Sequence, residues 1–342
     1  RHQHPLKPMR NFHNINKERL YKILFDIRMD ARKYYNVTAP DFHHLELGYG
    51  RGGDTIRIKN TLPMSADKCL VTAIDKSGIA LKEAQRRWYN DKGTNSSLCK
   101  LHTIKCNLEK NSEVDDFLTS FKPSAVDTIV SHFSVHYFQL NCEFIARKLL
   151  EIGGVIGMTL LDKERTLRLL NQHNGKVQFY IDNTLQVQIR STSCIDEVDI
   201  YISSIGKTHR EKLYNPEDLL GREFKLIKSY FFDETVSNKQ YNSMNNMWSF
   251  TQLYKAVIYE RVSCNHVSNT WFGRVSYQNA SPQSMTTSDI SSTASRRTTS
   301  LSPCTSPVCI KSNVHESPSS NFAYINEYAP LSPSVLSSPD SK

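Results

Sequence analysis

HLELGYGRGGD, residues 44–54, is the stretch whose reading decides the fold. A short apolar strand carrying an acidic residue runs into glycines at 48, 50, 52 and 53, then into a helix expected to carry Thr55–Asn60. Without Cβ atoms such a turn reaches positive φ and lets the backbone approach a ligand closely. Nicotinamide and flavin domains use related turns, but the spacing here is GxGxGG rather than GxGxxG, and the turn has no diphosphate to cradle. LVTAID (70–75) is a second apolar strand, and it ends on Asp75, 22 residues after Gly53. A carboxylate placed there reaches both hydroxyls of a ribose, so turn and carboxylate together read as an S-adenosylmethionine site.

Outward from that turn the chain alternates helix and strand. Leu20, Ile23, Leu24 and Ile27 recur at helical spacing within Asn16–Tyr34. HHLEL (43–47) is the strand before the turn, and Ile79–Tyr89 is the helix after the second strand. VDTIVSHF (126–133) and GGVIGMTLL (153–161) read as two further buried strands with a helix at Cys142–Glu151 between them. Alternation of this kind predicts an α/β fold with a doubly wound, mostly parallel sheet. Val177–Ile205 differs: QFYID, LQVQIR and VDIYISSI are β-rich and suit hairpins inserted between core strands. KLIKSYFF (225–232) and LYKAVIYE (253–260) read as the last two strands.

Composition changes after residue 262, which sets the expected division into a globular domain at 1–262 and a disordered tail at 263–342. The tail is rich in Ser, Thr and Pro, with Ser-Pro dipeptides beginning at Ser281, Ser302, Ser306, Ser317, Ser332 and Ser338. Its few apolar groups do not offset chain entropy, and its Ser-Pro sites suit proline-directed kinases. The formal charge is +9; residues from Cys264 hold five cations and four anions, which leaves about +8 on the rest. A basic surface suits a polyanionic partner such as RNA. The eight cysteines include no CxxC pair, so no metal site is expected, and scattered single thiols suit a reducing compartment. No run of 18 apolar residues occurs, so no membrane partner is expected. The N-terminal RHQHPLKPMR has neither an initiating Met nor the apolar core of a secretory signal, and the chain reads as part of a longer polypeptide.

Four segments carry a family resemblance. MRNFHNINK (9–17) is similar to an N-terminal arm that typically reads RNFNNWxK. LELGYGRGGD is similar to a DLGCGKGGD turn, and SHFSVHYF (131–138) to a CQFxxHYxF strand. GGVIGMTLLDKERTL (153–167) resembles a PGGxFxGTxxD segment more weakly. From Pro8 to about Arg261 the chain thus resembles the mRNA cap guanine-N7 methyltransferases, and the wording PMRNFHN looks closest to versions from large DNA viruses. The resemblance implies a Rossmann-like methyltransferase sheet whose last strand is antiparallel, with a β-hairpin insertion. It implies methyl transfer from S-adenosylmethionine to N7 of the cap guanine. It also implies capped RNA 5′ ends as partner, an activating subunit or upstream capping domain, and a nuclear site of action, or a cytoplasmic one for a virus.

Residue roles follow from the resemblance by position. Lys17 pairs with the cofactor carboxylate, Gly48 and Gly50 form the turn beneath the methionine moiety, and Asp75 takes the ribose. Asn107, in KCNLEK, stands where the family has Asp near the adenine; His132 stands in place of Gln; Tyr137 packs beside the cofactor. On the cap side, His13 and Asn14 match paired asparagines, and Arg51, Arg57 and Arg87 match cations that face the triphosphate, where guanidinium grips phosphate in bidentate fashion. His136 lies against the guanine and Tyr254 closes the pocket. Taken singly, Arg51, Arg57, Arg87 and Lys17 read as ordinary surface cations, His136–Tyr137 as a strand-end contact, and Asp75 as a helix cap.

One departure stands out. The family places a Glu before Tyr in a segment like EYLV to bind the guanine edge; DEVDIYISSI (196–205) puts Ile200 there, with Asp199 or Glu197 as substitutes after a shift of register. No general base is expected, because guanine N7 is a lone-pair nucleophile with no proton to remove; positioning carries the reaction. Two other readings stand beside this one: a non-catalytic cap- or RNA-binding module, and a ribose 2′-O methyltransferase, whose Lys-Asp-Lys-Glu set has no evident place here. A nicotinamide dehydrogenase is disfavoured by the glycine spacing. No KxDG occurs, so cap formation itself lies elsewhere.

Overall fold

The computed structural model describes residues 6–38, 41–63, 68–90, 99–121, 125–235 and 247–262. Five parallel strands form the centre of the main sheet: β1 (Asp41–Leu47), β2 (Lys68–Asp75), β3 (Cys99–Lys105), β4 (Val126–His132) and β5 (Leu150–Leu161). Helices alternate with them: α1 (Lys7–Tyr34), α2 (Thr55–Thr61), α3 (Gly78–Asn90), α4 (Asn111–Ser120), α5 (Val135–Leu149) and α6 (Lys163–Gln172). Four antiparallel strands follow, β6 (Lys176–Ile181), β7 (Thr184–Ser191), β8 (Glu197–Ile202) and β9 (Lys207–Lys212), and they make a sheet of their own. β10 (Phe224–Phe231) and β11 (Tyr254–Arg261) complete the main sheet in the order β10-β11-β5-β4-β1-β2-β3, with β11 antiparallel to both its neighbours.

This is the expected α/β architecture: a doubly wound, Rossmann-like sheet with one antiparallel strand and an antiparallel insertion. The hairpin insertion is a four-stranded antiparallel meander. Lys207–Lys212, read as no strand from its charged sequence, pairs with β8 along its whole length. Among the described residues no helix is long and apolar enough to cross a membrane. The expectations for residues 263–342 lie outside the described residues.

Apolar side chains divide between the two faces of the sheet. α1, α2 and α3 contribute Leu20, Leu24, Ile58, Leu81 and Trp88 to one cluster, and α4 and α5 contribute Val114, Phe117 and Ile145 to the other. β1 and β4 lie between the two layers and are buried almost along their length, their polar residues included. The inner face of the meander (Val187, Ile189, Val198, Ile200) belongs to the α1 side.

The first helix is longer than the sequence pattern predicts, beginning at Lys7 rather than near Asn16. Leu20, Tyr21, Leu24 and Phe25 are fully buried, each contributing about 1.5–3 kcal/mol. β5 makes room for them at Gly157, where a Cβ would stand 2.6 Å from Leu24 Cδ1. Polar contacts fix the helix's position as well. Fully buried Arg28 donates to Asp127 at 2.8 Å and to Glu151 at 2.5 Å. The Tyr21 hydroxyl donates to Glu46 at 2.7 Å, and His44 Nε2 meets the same carboxylate oxygen at 2.6 Å. The acidic residue before the glycine turn thus helps hold α1 on the sheet. Burial raises its carboxyl above the ordinary value, against the opposing effect of His44 and Tyr21.

Candidate functional site

Strand order reverses between β1 and β4, and ligands in open α/β sheets sit beyond the strand ends at such a switch point. Gly48 follows β1 there with φ +77°, and Gly48 N and Tyr49 N both donate to the Ile74 carbonyl, at 2.9 and 3.0 Å. A Cβ at Gly48 would meet Ser134 Oγ at 2.7 Å, so the turn needs glycine for both conformation and room. Ser134, just past β4, donates in turn to the Leu47 carbonyl at 3.2 Å. Asp75 accepts from Gly50 N and from Ser77 N, each at 2.8 Å, so one carboxylate ties the glycine turn to the start of α3. Burial raises its pKa, with those two backbone donors and Lys76 opposing.

A cleft of about 420 Å³ opens at this point, lined by Gly48, Asp75, Asn107, Ser134, Tyr137 and Phe138 among others. Asn107 is held by its backbone N–H, which donates to Glu113 at 2.8 Å, while its side-chain oxygen accepts from Glu109 N at 3.1 Å. Lys76 and Glu109 pair at 2.7 Å. Four of the seven residues expected to hold a cofactor meet at this cleft: Gly48, Asp75, Asn107 and Tyr137. Gly50 supports it through Asp75.

The other two, Lys17 and His132, form a separate polar group behind the turn. Lys17 Nζ donates to Asp54 Oδ2 at 2.8 Å, and Arg57 donates to Asp54 Oδ1 at 3.1 Å and to the Gly53 carbonyl at 2.7 Å. Burial works against the Asp54 carboxylate, but Lys17, His132 and Arg57 together hold its pKa at about 2. His132 Nδ1 lies 3.3 Å from Thr159 Oγ1, and its Nε2 is buried with no partner. Burial, then Lys17, lower its pKa to about 3, with Asp54 opposing. The Lys17 ammonium, expected on the cofactor, is engaged by Asp54 and lies 5.2 Å from the centre of the Phe133 ring.

Phe133 itself has φ +52°, a conformation that costs an L-residue about 1–2 kcal/mol and that collects at functional sites. Its ring centre lies 5.5 Å from that of His13 and 5.0 Å from that of Tyr254. His13 also touches Tyr254, at 5.0 Å, and Phe232, at 5.4 Å. Burial, then Lys17, lower the His13 pKa to about 3. Two residues expected at the cap are thus adjacent, on α1 and β11. Asn14 is half-buried on the next position of α1.

α5 breaks at Phe138 (φ −144°, ψ 36°), and its first turn carries His136 and Tyr137 side by side, ring centres 3.9 Å apart. His136 is nearly enclosed; Nδ1 lies 3.6 Å from Glu211 Oε2, and Nε2 is buried without a partner. Burial lowers its pKa, with Glu211 opposing. The Tyr254 hydroxyl is pushed well above its ordinary range by burial first, then by the nearby Glu211 and Tyr137. These side chains make a wall in two parts, His13 with Tyr254, and Glu211 with His136 and Tyr137 at the cleft, with Tyr254 near enough to Glu211 to feel its charge.

The carboxylates near Ile200 are placed as follows. Ile200 is fully buried in β8 opposite His209, and its neighbours point the other way: Asp199 and Glu197 are engaged by Arg210 on the outer face. A buried carboxylate stands instead on the next strand, two register places along, where Glu211 faces Val198. Burial opposes its ionisation, but His136 and His209 hold its pKa below the ordinary value. The signal was present in THREKL, where His209, Glu211 and Leu213 alternate as on a half-buried strand.

The expected cap-side cations differ in freedom. Arg57 is tied to Asp54, and Arg87 pairs with Glu83 at 2.7 Å. Arg51, half-buried in the glycine turn, makes no hydrogen bond or ion pair among the described residues. Among the described residues no cluster of three or more His, Cys, Asp or Glu is placed to hold a metal.

No protein-family model and no curated protein matches the chain. Among solved structures it is similar to the CcbJ methyltransferase from Streptomyces caelestis, with 16% identity over 69% of this chain and 95% of that one and a TM-score of 0.45. The glycopeptide N-methyltransferase MtfA, solved with S-adenosylmethionine, gives 16% identity, 68% and 93% coverage and a TM-score of 0.37. An rRNA methylase from Streptococcus thermophilus gives 14%, 69%, 95% and 0.33.

Proposed function

We propose that this chain is an S-adenosylmethionine-dependent mRNA cap guanine-N7 methyltransferase. The observation that supports it best is the grouping just described: a cleft at the switch point, joined through Tyr137 to His136 and Glu211, with Tyr254 and His13 nearby. The cleft residues fit the cofactor. Gly48 leaves backbone where any side chain would collide with Ser134, Asp75 stands where a ribose diol is bound, and Asn107 stands beside it for a purine. Bound there, S-adenosylmethionine supplies a methyl group activated on a sulfonium.

What the chain's own residues do is bind and orient. Guanine presents two donors on its pairing edge, N1–H and the N2 amino group, and a buried carboxylate accepts both; Glu211 is the acceptor of that kind in the wall. His136 and Tyr254 supply flat surfaces for the base, and stacking of this sort is worth about 1–3 kcal/mol. Arg51, unpaired in the turn, is the cation best placed to meet cap phosphates. N7 carries a lone pair and no proton, so no side chain has to deprotonate it, and rate comes from alignment.

Methyl transfer from radiolabelled S-adenosylmethionine to GpppG- and GpppA-capped RNA, with product nucleotides identified after nuclease digestion, tests this reading. Label is expected on guanine N7. Asp75→Ala removes two charge-assisted acceptors and is expected to weaken cofactor binding roughly 100-fold. Label on ribose would move the chain to the 2′-O class. Absence of both cofactor binding and transfer would leave a binding module.

A further inference from the structure

Glu211 does not stand alone in the wall. His209 precedes it by two residues on β9, so both side chains leave the same face of the meander. His209 Nε2 lies 2.7 Å from Glu211 Oε1, a hydrogen-bond distance. His136 stands on the other side, with Nδ1 3.6 Å from Oε2, beyond it. The Glu211 side chain is 11% exposed and the His136 side chain 4%, and His136 Nε2 is enclosed with no partner. One oxygen of the carboxylate is therefore anchored, while the other lies 3.6 Å from a ring whose second nitrogen is unused.

Resting on the cap-guanine reading above, we propose that His209 is a positioning residue that makes Glu211 a guanine-selective acceptor. A carboxylate only accepts, so the Nε2 of His209 carries the proton and donates it. That bond fixes the rotamer of a side chain with three rotatable bonds, which an unanchored glutamate would have to order on binding. Oε1 keeps a second lone pair and Oε2 keeps both, so the anchored group still accepts in parallel from N1–H and the N2 amino group. A site built this way discriminates against a base lacking one donor, because part of its acceptor is then left unmatched. Hypoxanthine, which is guanine without the N2 amino group, is such a base.

The test uses the full chain and two cap dinucleotides, GpppA and IpppA, the second with hypoxanthine in place of the methylated guanine. The wild-type protein is expected to prefer guanine. His209→Ala is expected to raise KM for GpppA roughly ten- to 100-fold, the usual cost of losing one hydrogen bond to a charged group, with the loss falling on KM rather than kcat. Its guanine-over-hypoxanthine preference shrinks toward one, while the Kd for S-adenosylmethionine, read by calorimetry, stays unchanged. His209→Gln, whose Nε2 donates from nearly the same place, restores most of the preference. A His209→Ala protein that retains the wild-type preference overturns the role of His209 alone. So does one that loses cofactor binding and melting temperature together without rescue by His209→Gln. A wild-type protein that methylates neither cap overturns the cap reading, and the role of His209 with it.

Discussion

His132 allows the enclosure of the site to be measured without any substrate. Its Nε2 is buried and unpartnered, and burial with Lys17 nearby lowers its pKa to about 3. The unfolded chain protonates the same ring at about 6.5. A histidine held neutral by the fold contributes stability above the unfolded value, and that contribution is lost as pH falls below it. At pH 5 the unfolded state has gained about 1.5 pKa units of proton binding, roughly 2 kcal/mol, while the folded state gains almost nothing until near pH 3. His132→Gln removes the titration and keeps a polar side chain at the position. Denaturant unfolding of the full chain at pH 8, 6.5 and 5, extrapolated linearly, gives the comparison. The wild type is expected to lose about 2 kcal/mol more than the variant between pH 8 and 5. His13, lowered to about 3 by burial and then Lys17, is present in both proteins and cancels. Equal pH slopes would refute the reasoning, since His132 would then titrate alike in both states and could not be enclosed.

Two further substitutions test how the first helix is seated. Gly157→Val drives a side chain into Leu24, 2.6 Å from the new Cβ, and is expected to cost about 1–3 kcal/mol in the same unfolding assay. Tyr21→Phe removes the hydroxyl that Glu46 accepts from, leaving a fully buried carboxylate with His44 alone; a loss of about 1–3 kcal/mol is expected, with the Tm falling accordingly.

The glycine turn, Asp75 and the apolar strands beside them were legible in the sequence because each depends on local chemistry. A positive φ at Gly48, a carboxylate at a strand end and a run of residues buried on both faces are properties of short segments. The meander's last strand was missed, since Lys207–Lys212 is charged, shows only the alternation of His209, Glu211 and the following Leu213, and pairs because β8 is beside it. The extent of α1 was understated for a related reason: its N-terminal turns carry Phe12 and His13, whose burial depends on Trp248, Phe232 and Tyr254 far along the chain.

The sequence by itself determined a doubly wound sheet, the turn that faces its switch point and four residues lining the cleft, Gly48, Asp75, Asn107 and Tyr137. Tertiary structure alone decided which carboxylate lies buried beside His136. Asp199 and Glu197 lie nearer in sequence to the expected place, but strand alternation sends them outward to Arg210, and the neighbouring strand's register brings in Glu211 with His209 beside it. It also decided that Lys17 meets Asp54, a partner 37 residues away. Side-chain direction along a strand is fixed by a period of two, which a sequence shows; which strand borders the pocket is fixed by long-range pairing, which it does not.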